Sequence, residues 1–263
     1  MKKERADKIL VSRNLVLSSE KAQALIMAGC VYSSGAKVEK PGQLIDPEAD
    51  ITVAETPRYV GRGGLKLEEA LDAFGVPVAG KIAADLGAST GGFTDCLLKK
   101  GARKVYAVDV DTQQIDCHLR EDARVSLIKK NARYLKKQDF ADALDIVTLD
   151  LSFISVLKVL PAVKDFLAGG EVIALLKPQF EAEKGRVGEK GVIRDPEVHQ
   201  EILERVLGAG QSLGFFVHGL VKCSTRGQKG NREFFVRWRL DGEPMGPEAM
   251  KAFIRERVHE EKG

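Results

Sequence analysis

The stretch KIAADLGASTGGFTD, residues 81–95, decides how the chain folds. It opens as a short apolar strand, turns acidic at Asp85, and passes through a glycine-bearing turn into the helical rhythm of GGFTDCLLKKG, residues 91–101. A strand that feeds a glycine loop and then a helix begins a doubly wound sheet, in which ligands sit beyond the C-terminal ends of the strands. A dinucleotide fingerprint would need the spacing Gly-x-Gly-x-x-Gly, and residues 87–92 lack its second glycine.

Outward from this stretch the pattern repeats. Candidate strands are KVYAVDV (104–110), VSLIKKN (125–131), LDIVTLDLS (144–152), EVIALLKPQ (171–179), GFFVHGLVKCS (214–224) and REFFVRWRL (232–240), with helical patterns such as ISVLKVLPAVKDFL (154–167) between most of them. Strand, helix and strand in repetition predict an α/β fold: a mostly parallel, seven-stranded sheet with helices on both faces and right-handed crossovers. The last two strands are joined only by a loop and should form an antiparallel hairpin at one edge.

Upstream lies a different unit. Residues 1–57 read as a small α+β module with helices in RADKILVSRNL (5–15) and SSEKAQALIMAG (18–29), the second capped by Ser18 or Ser19 and ended by Gly29. Short strand-like pieces follow, to ADITV (49–53). Residues 58–64, with Gly61, Gly63 and Gly64 around Arg62, read as a linker. The larger domain is expected over 65–245, with Lys66 at its very start, and a helical tail over 246–263.

Composition excludes several classes. Of 263 residues, 44% are hydrophobic and 30% charged, as in a folded protein and unlike a disordered or fibrous one. The net charge of +3 is small, so nucleic-acid affinity must come from locally placed Lys and Arg. Cys30, Cys96, Cys117 and Cys223 are far apart, with no CxxC pair, so neither a metal site nor a disulfide framework is expected. No apolar run approaches the ~18 residues of a membrane span, and no apolar core follows MKKERADKIL; a cytoplasmic protein is expected.

The order RADKIL, then LVLSSEKAQALIMAGCVYSSGAKVEKPGQLI, resembles the αL-type RNA-binding module of a small-subunit ribosomal protein, bacterial tyrosyl-tRNA synthetases and many pseudouridine synthases. The resemblance implies that Arg5, Lys8, Arg13, Lys21 and Lys37 contact RNA phosphates. The wider loop of residues 85–92, Asp-x-Gly-x-x-x-Gly-Gly, is similar to motif I of class I S-adenosylmethionine methyltransferases. That cofactor has no phosphate, but its ammonium and sulfonium favour a nearby carboxylate. The expected cofactor-binding residues are Asp85, Gly87, Ser89, Gly91, Gly92, Phe93, Asp109 for the ribose, Asn131 near the adenine, and Asp150, with Asp111 close enough to compete with Asp109.

The acceptor atom follows from what is missing. After TLDLSF the chain lacks the (Asn/Asp)-Pro-Pro-aromatic sequence typical of exocyclic-amine methylation, and no cysteine is placed as a nucleophile for C5 methylation. A hydroxyl remains, which the site must orient while removing or stabilising its proton. Lys66, Asp150, Lys177 and Glu233 are the candidates, and their order resembles the Lys-Asp-Lys-Glu tetrad of FtsJ-like ribose 2′-O-methyltransferases. With the preceding module, RYVGRGGLKLEEAL, DLGASTGGFTD, LDLSFISV, LLKPQFE and KGNREF make the whole chain similar to the TlyA family of bacterial ribosomal RNA methyltransferases, also labelled hemolysins. That resemblance implies cytidine 2′-O-methylation in ribosomal RNA or ribosomal subunits, with Lys177 as the central lysine. Two other classes stay open at this point: an RNA-binding, ribosome-associated protein without activity, and a membrane-lytic hemolysin. Arg62, the loop after the fifth strand (Lys184, Arg186, Lys190, Arg194) and the hairpin residues Arg226, Lys229 and Arg232 are further candidates for RNA contact.

Overall fold

The structure is a computed structural model; it describes all residues except 1, 2, 28, 55–57, 168, 184–187, 189, 190, 228, 229 and 260–263. Contacts divide the chain into two units, Met1–Arg58 and Tyr59–Gly263. Lys184, Arg186, Lys190 and Lys229, expected to contact RNA, lie outside the described residues.

In the first unit β1 (Glu4–Arg5) leads into α1 (Ala6–Ser12), followed by α2 (Ser19–Met27), β2 (Val31–Ser33), β3 (Ala36–Lys37), β4 (Leu44–Ile45) and β5 (Ile51–Val53). β3, β2 and β5 form one small sheet, and β1 pairs with β4. Ser18 is the residue that caps α2: its Oγ accepts the Lys21 N–H at 3.2 Å. Ile9, Leu10, Ala22, Ile26 and Val31 form the core. Asp7 is buried at the edge of that core, and two hydrogen bonds from the Arg5 guanidinium, 3.0 and 2.7 Å, hold its carboxyl below the usual carboxylate range despite burial.

The second unit runs α3 (Arg62–Phe74), β6 (Ile82–Leu86), α4 (Gly92–Lys99), β7 (Lys104–Asp109), α5 (Cys117–Glu121), β8 (Val125–Lys129), β9 (Ile146–Leu149), α6 (Leu160–Phe166), β10 (Glu171–Leu176), α7 (Pro178–Glu181), α8 (Pro196–Ser212), β11 (Phe216–Lys222), β12 (Phe234–Arg239) and α9 (Pro247–His259). The sheet has seven strands in the order β11-β12-β10-β9-β6-β7-β8. The five strands from β10 to β8 are parallel, while β12 is antiparallel to both β10 and β11, as the hairpin predicts. From β6 the chain moves outward through β7 and β8, then returns to β9 on the other side of β6, so the topological switch lies between β6 and β9. That is where such a sheet opens a crevice.

Alternation along the strands feeds two apolar layers. Ala84 and Leu86 of β6, Val108 of β7, Val172 and Ala174 of β10 and Trp238 of β12 pack with Leu160, Val163, Val206 and Ile254 from α6, α8 and α9. Ala83, Val105, Ile173 and Phe235 face the other way, onto Leu67 and Leu71 of α3 and Leu97 of α4. Strands buried on both faces need nearly continuous apolar runs, which is why β6, β9 and β10 read so clearly in the sequence.

Two expected boundaries change. The linker over 58–64 is no free spacer: Tyr59 is 3% exposed, the Val60 N–H donates to Asp95 Oδ2 at 2.9 Å, and α3 begins at Arg62. Its glycines allow contact, not flexibility, because a Cβ on Gly64 would lie 2.8 Å from the Gly92 carbonyl, so α3 and α4 meet backbone to backbone. Within the expected tail over 246–263, Pro247–His259 form a helix of the domain itself, α9, which buries Met250, Ile254 and Val258 in the first layer. Among the described residues no helix is long and apolar enough to cross a membrane.

Candidate active site

The loop after β6 is shaped by its neighbours. The N–H groups of Gly87 and Ala88 donate to the Val108 carbonyl at 2.9 and 3.1 Å, and the Ser89 N–H donates to Asp109 Oδ2 at 2.8 Å. Gly87 has φ +90°, and a Cβ there would lie 2.5 Å from the Asp150 carbonyl oxygen. Only glycine meets both conditions, so this position ties the loop to the end of β9. Gly91 then precedes α4, whose first residues Gly92 and Phe93 are buried.

Four charged side chains converge beside that loop. Lys177, at the end of β10, is fixed by Pro178 at the first position of α7, and its Nζ lies 2.6 Å from Asp150 Oδ1 and 3.1 Å from Ser152 Oγ. Asp150 Oδ1 is shielded from solvent and makes no aligned hydrogen bond. Lys66, in the first turns of α3, donates to Glu233 Oε2 at 2.5 Å, and the pair's side chains are only 13% and 4% exposed. All four line a cavity of about 530 Å³, which Gly87, Ser89, Gly92 and Phe93 border on the loop side. Volumes of this size are typical of sites for small organic ligands.

Four expected cofactor residues stand elsewhere; Gly91, with φ 96°, makes the turn into α4 and does not line the cavity. Asp85 is fully buried and does not border the cavity; Thr94 Oγ1 and Thr148 Oγ1 donate to its carboxylate at 2.7 and 3.0 Å. Burial pushes its pKa up to about 7, and the charge of Asp150 adds to the rise, against the two threonine hydrogen bonds. It braces the sheet beneath the loop and has no surface for a ligand. Asp109 is half-buried at the end of β7, with its oxygens holding the N–H groups of Ser89 and Asp111, and does not line the cavity. Asn131 is exposed and caps a short turn through the Arg133 N–H at 3.0 Å. An acid or amide at a strand end has several uses, and sequence position does not choose among them.

The sequence reading passed over an aromatic pair. Phe153 is 90% exposed with φ 64°, and its ring lies 5.0 Å from that of Phe180, whose ring is in turn 6.0 Å from Lys177 Nζ. Both rings border the cavity, as do Ser152, Gln179, Gly227 and Asn231. A bulky exposed residue in the left-handed region is a conformational expense, and that signal is invisible in LDLSFISV.

The expected RNA-binding residues are dispersed but mostly accessible. In the first unit Arg5, Lys8, Arg13, Lys21 and Lys37 are all exposed; Arg5 is engaged by Asp7, and Arg13 donates to the carbonyls of Pro47 and Ala49. In the second, Arg62 is exposed and lines the cavity, Arg226 donates to the Gly230 carbonyl at 3.2 Å, Arg232 is half-buried, and Arg194 is exposed.

Known proteins share this organisation. Residues 59–240 match the FtsJ-like methyltransferases and residues 4–51 the S4 domain. The chain is 46% identical over 246 residues to the candidate rRNA methyltransferase YqxC of Bacillus subtilis, covering 92% of this chain and 88% of that one. It is 39% identical over 239 residues to the 16S/23S rRNA (cytidine-2′-O)-methyltransferase TlyA of Mycobacterium tuberculosis, covering 89% of each. Among solved structures, a candidate hemolysin from Streptococcus thermophilus superposes with a TM-score of 0.73 at 40% identity over 98% of this chain and 96% of that one. The family match takes in both the loop and all four converging side chains, and the chain belongs to the FtsJ-like methyltransferases.

Proposed function

We propose that the protein transfers a methyl group from S-adenosylmethionine to the 2′-hydroxyl of a cytidine in ribosomal RNA, acting in the cytoplasm on ribosomal RNA or ribosomal subunits. The observation that carries this reading is the pairing of Lys177 with Asp150 and of Lys66 with Glu233 in one cavity bordered by the glycine loop. The donor set fits the cofactor: Gly87, Ser89 and Gly92 offer backbone to a nucleoside on the loop side of the cavity, and Asp150, which lines the same cavity, offers a carboxylate to a positive centre. When bound, S-adenosylmethionine supplies an electrophilic methyl group.

The protein's part is orientation and charge. The Lys177 ammonium stabilises negative charge as it develops on the attacking ribose oxygen, and Asp150 fixes that ammonium and offers an acceptor for the proton that leaves. Lys66 and Glu233, nearly dry, neutralise one another and hold the start of α3 against the start of β12. Phe153 and Phe180 offer a stacking face for a base drawn out of its helix. The small unit, matched by the S4 domain, supplies exposed Lys8, Lys21 and Lys37 for phosphates.

The test is incubation of the purified protein with isolated ribosomal subunits and labelled S-adenosylmethionine, followed by mass-spectrometric mapping of ribose methylation. A new 2′-O-methylcytidine is expected. Labelling of a base atom, or none in either subunit, would overturn the reading.

A further inference from the structure

The two segments that carry the reacting side chains are separate in sequence and are joined by a buried acid that takes no part in the chemistry. Residues 150–156 follow β9 and hold Asp150, Ser152 and Phe153; residues 177–181 follow β10 and hold Lys177, Phe180 and Glu181. Glu181 is 5% exposed and its carboxylate is spent entirely on the first segment: Oε2 accepts the Ser155 hydroxyl at 2.5 Å and Oε1 accepts the Val156 N–H at 2.9 Å. Its own place is set from two other directions. The Glu181 and Phe180 N–H groups donate to the Lys177 carbonyl at 3.3 and 2.8 Å, and Arg205 of α8 donates to the Glu181 carbonyl.

We propose that Glu181 is a positioning residue for methyl transfer, clamping the segment that bears Asp150 and Phe153 to the turn that bears Lys177 and Phe180. This rests on the function proposed above. The distances that define the acceptor side, Lys177 to Asp150 at 2.6 Å, Lys177 to Ser152 at 3.1 Å and ring to ring at 5.0 Å, all span the two segments. Phe153 adds the reason a clamp is needed. A non-glycine residue at φ 64° is strained, and it persists only where its surroundings over-determine it. Two hydrogen bonds donated to the Glu181 carboxylate by residues two and three positions farther along, Ser155 and Val156, fix that backbone. An apolar side chain could fill the space but could not set the loop's register, and would leave the Val156 N–H buried without a partner. Burial raises the Glu181 pKa, and the bonds from Ser155 and Val156 oppose that rise.

Methyl transfer to isolated ribosomal subunits, with S-adenosylmethionine affinity measured by calorimetry, tests the role. Glu181→Ala should lower kcat on the order of 10²-fold, since small displacements of reacting groups carry that penalty, while the cofactor's Kd moves less than about twofold because the glycine loop makes no bond to Glu181. Glu181→Gln, which keeps an acceptor for the Val156 N–H, should restore most of the rate. Ser155→Ala removes one bond from a less buried position and should lower kcat about tenfold, with no additive loss in the double variant; it decides the matter should Glu181→Ala fail to fold. An unchanged kcat in folded Glu181→Ala or in Ser155→Ala, or equal losses of cofactor affinity and rate, overturns the clamp. A wild-type protein that methylates neither subunit overturns the function itself, a result distinct from an active wild type with active variants.

Discussion

Two carboxylates end neighbouring parallel strands of one sheet, Asp85 on β6 and Asp150 just past β9, and they lead opposite lives. Asp85 is sealed under the glycine loop, bonded to two threonines, with its pKa pushed up to about 7 by burial. Asp150 is 27% exposed at its side chain and pairs with Lys177 at 2.6 Å. The contrast extends to the regions around them. The loop side of the cavity, the proposed cofactor side, is built from backbone and glycine packing, whereas the proposed acceptor side is built from charged and aromatic side chains held by long-range bonds. A strand end gives a residue the opportunity to meet a ligand, and whatever folds over that end decides whether it does.

Perturbations should separate the two sides. Lys177→Ala is expected to lower methyl transfer on the order of 10³-fold, measured with labelled cofactor, while cofactor Kd and RNA binding stay within about twofold; equal loss of all three would erase the distinction. Gly87→Ala attacks the other side: the left-handed φ and the 2.5 Å approach to the Asp150 carbonyl predict at least tenfold weaker cofactor binding by calorimetry and a lower Tm, ~2 kcal/mol or more of strain.

Asp85→Asn asks whether the sealed carboxylate is structural. Between its ordinary value of 3.8 and about 7 the folded protein keeps a proton that the unfolded chain releases. Stability from this group is therefore fully present below the lower value and is lost as pH rises through the upper one. Thermal melts should show the wild type's Tm falling several degrees relative to the variant's between about pH 4 and 7 and levelling off above, with cofactor affinity little changed. A large affinity loss would return Asp85 to the ligand. Arg62→Ala, at the exposed rim, should have the smallest effect: RNA affinity down a few fold and a salt slope shallower by about one, with the rate on saturating RNA unchanged.

Much of this was legible before folding. The double-faced burial of β6, β9 and β10 requires nearly continuous apolar runs, broken in β6 and β9 only by the mutually bonded Asp85 and Thr148, which is why these strands could be read directly. Lys66 and Glu233, 167 positions apart, are joined in the sequence only by the resemblance of their order to the FtsJ-like tetrad, and the structure brings them within 2.5 Å. Phe153 and Glu181 were passed over because their significance is a backbone angle and a pair of bonds across the fold, neither of which alters local composition. The glycines at 61–64 misled in the other direction, since dense glycine marks close helix packing as readily as a flexible joint.

The sequence by itself determined the layers, the loop and the charges available at the strand ends, because periodicity and glycine placement act over a few residues at a time. Only the tertiary structure decided which of those charges meet. Asp85 is roofed by α4 and tied to Thr148, Asn131 is turned to a local N–H, and Asp150 is left open to Lys177. Burial and partnership depend on segments far away in the chain, and they set what each carboxylate or lysine is able to do.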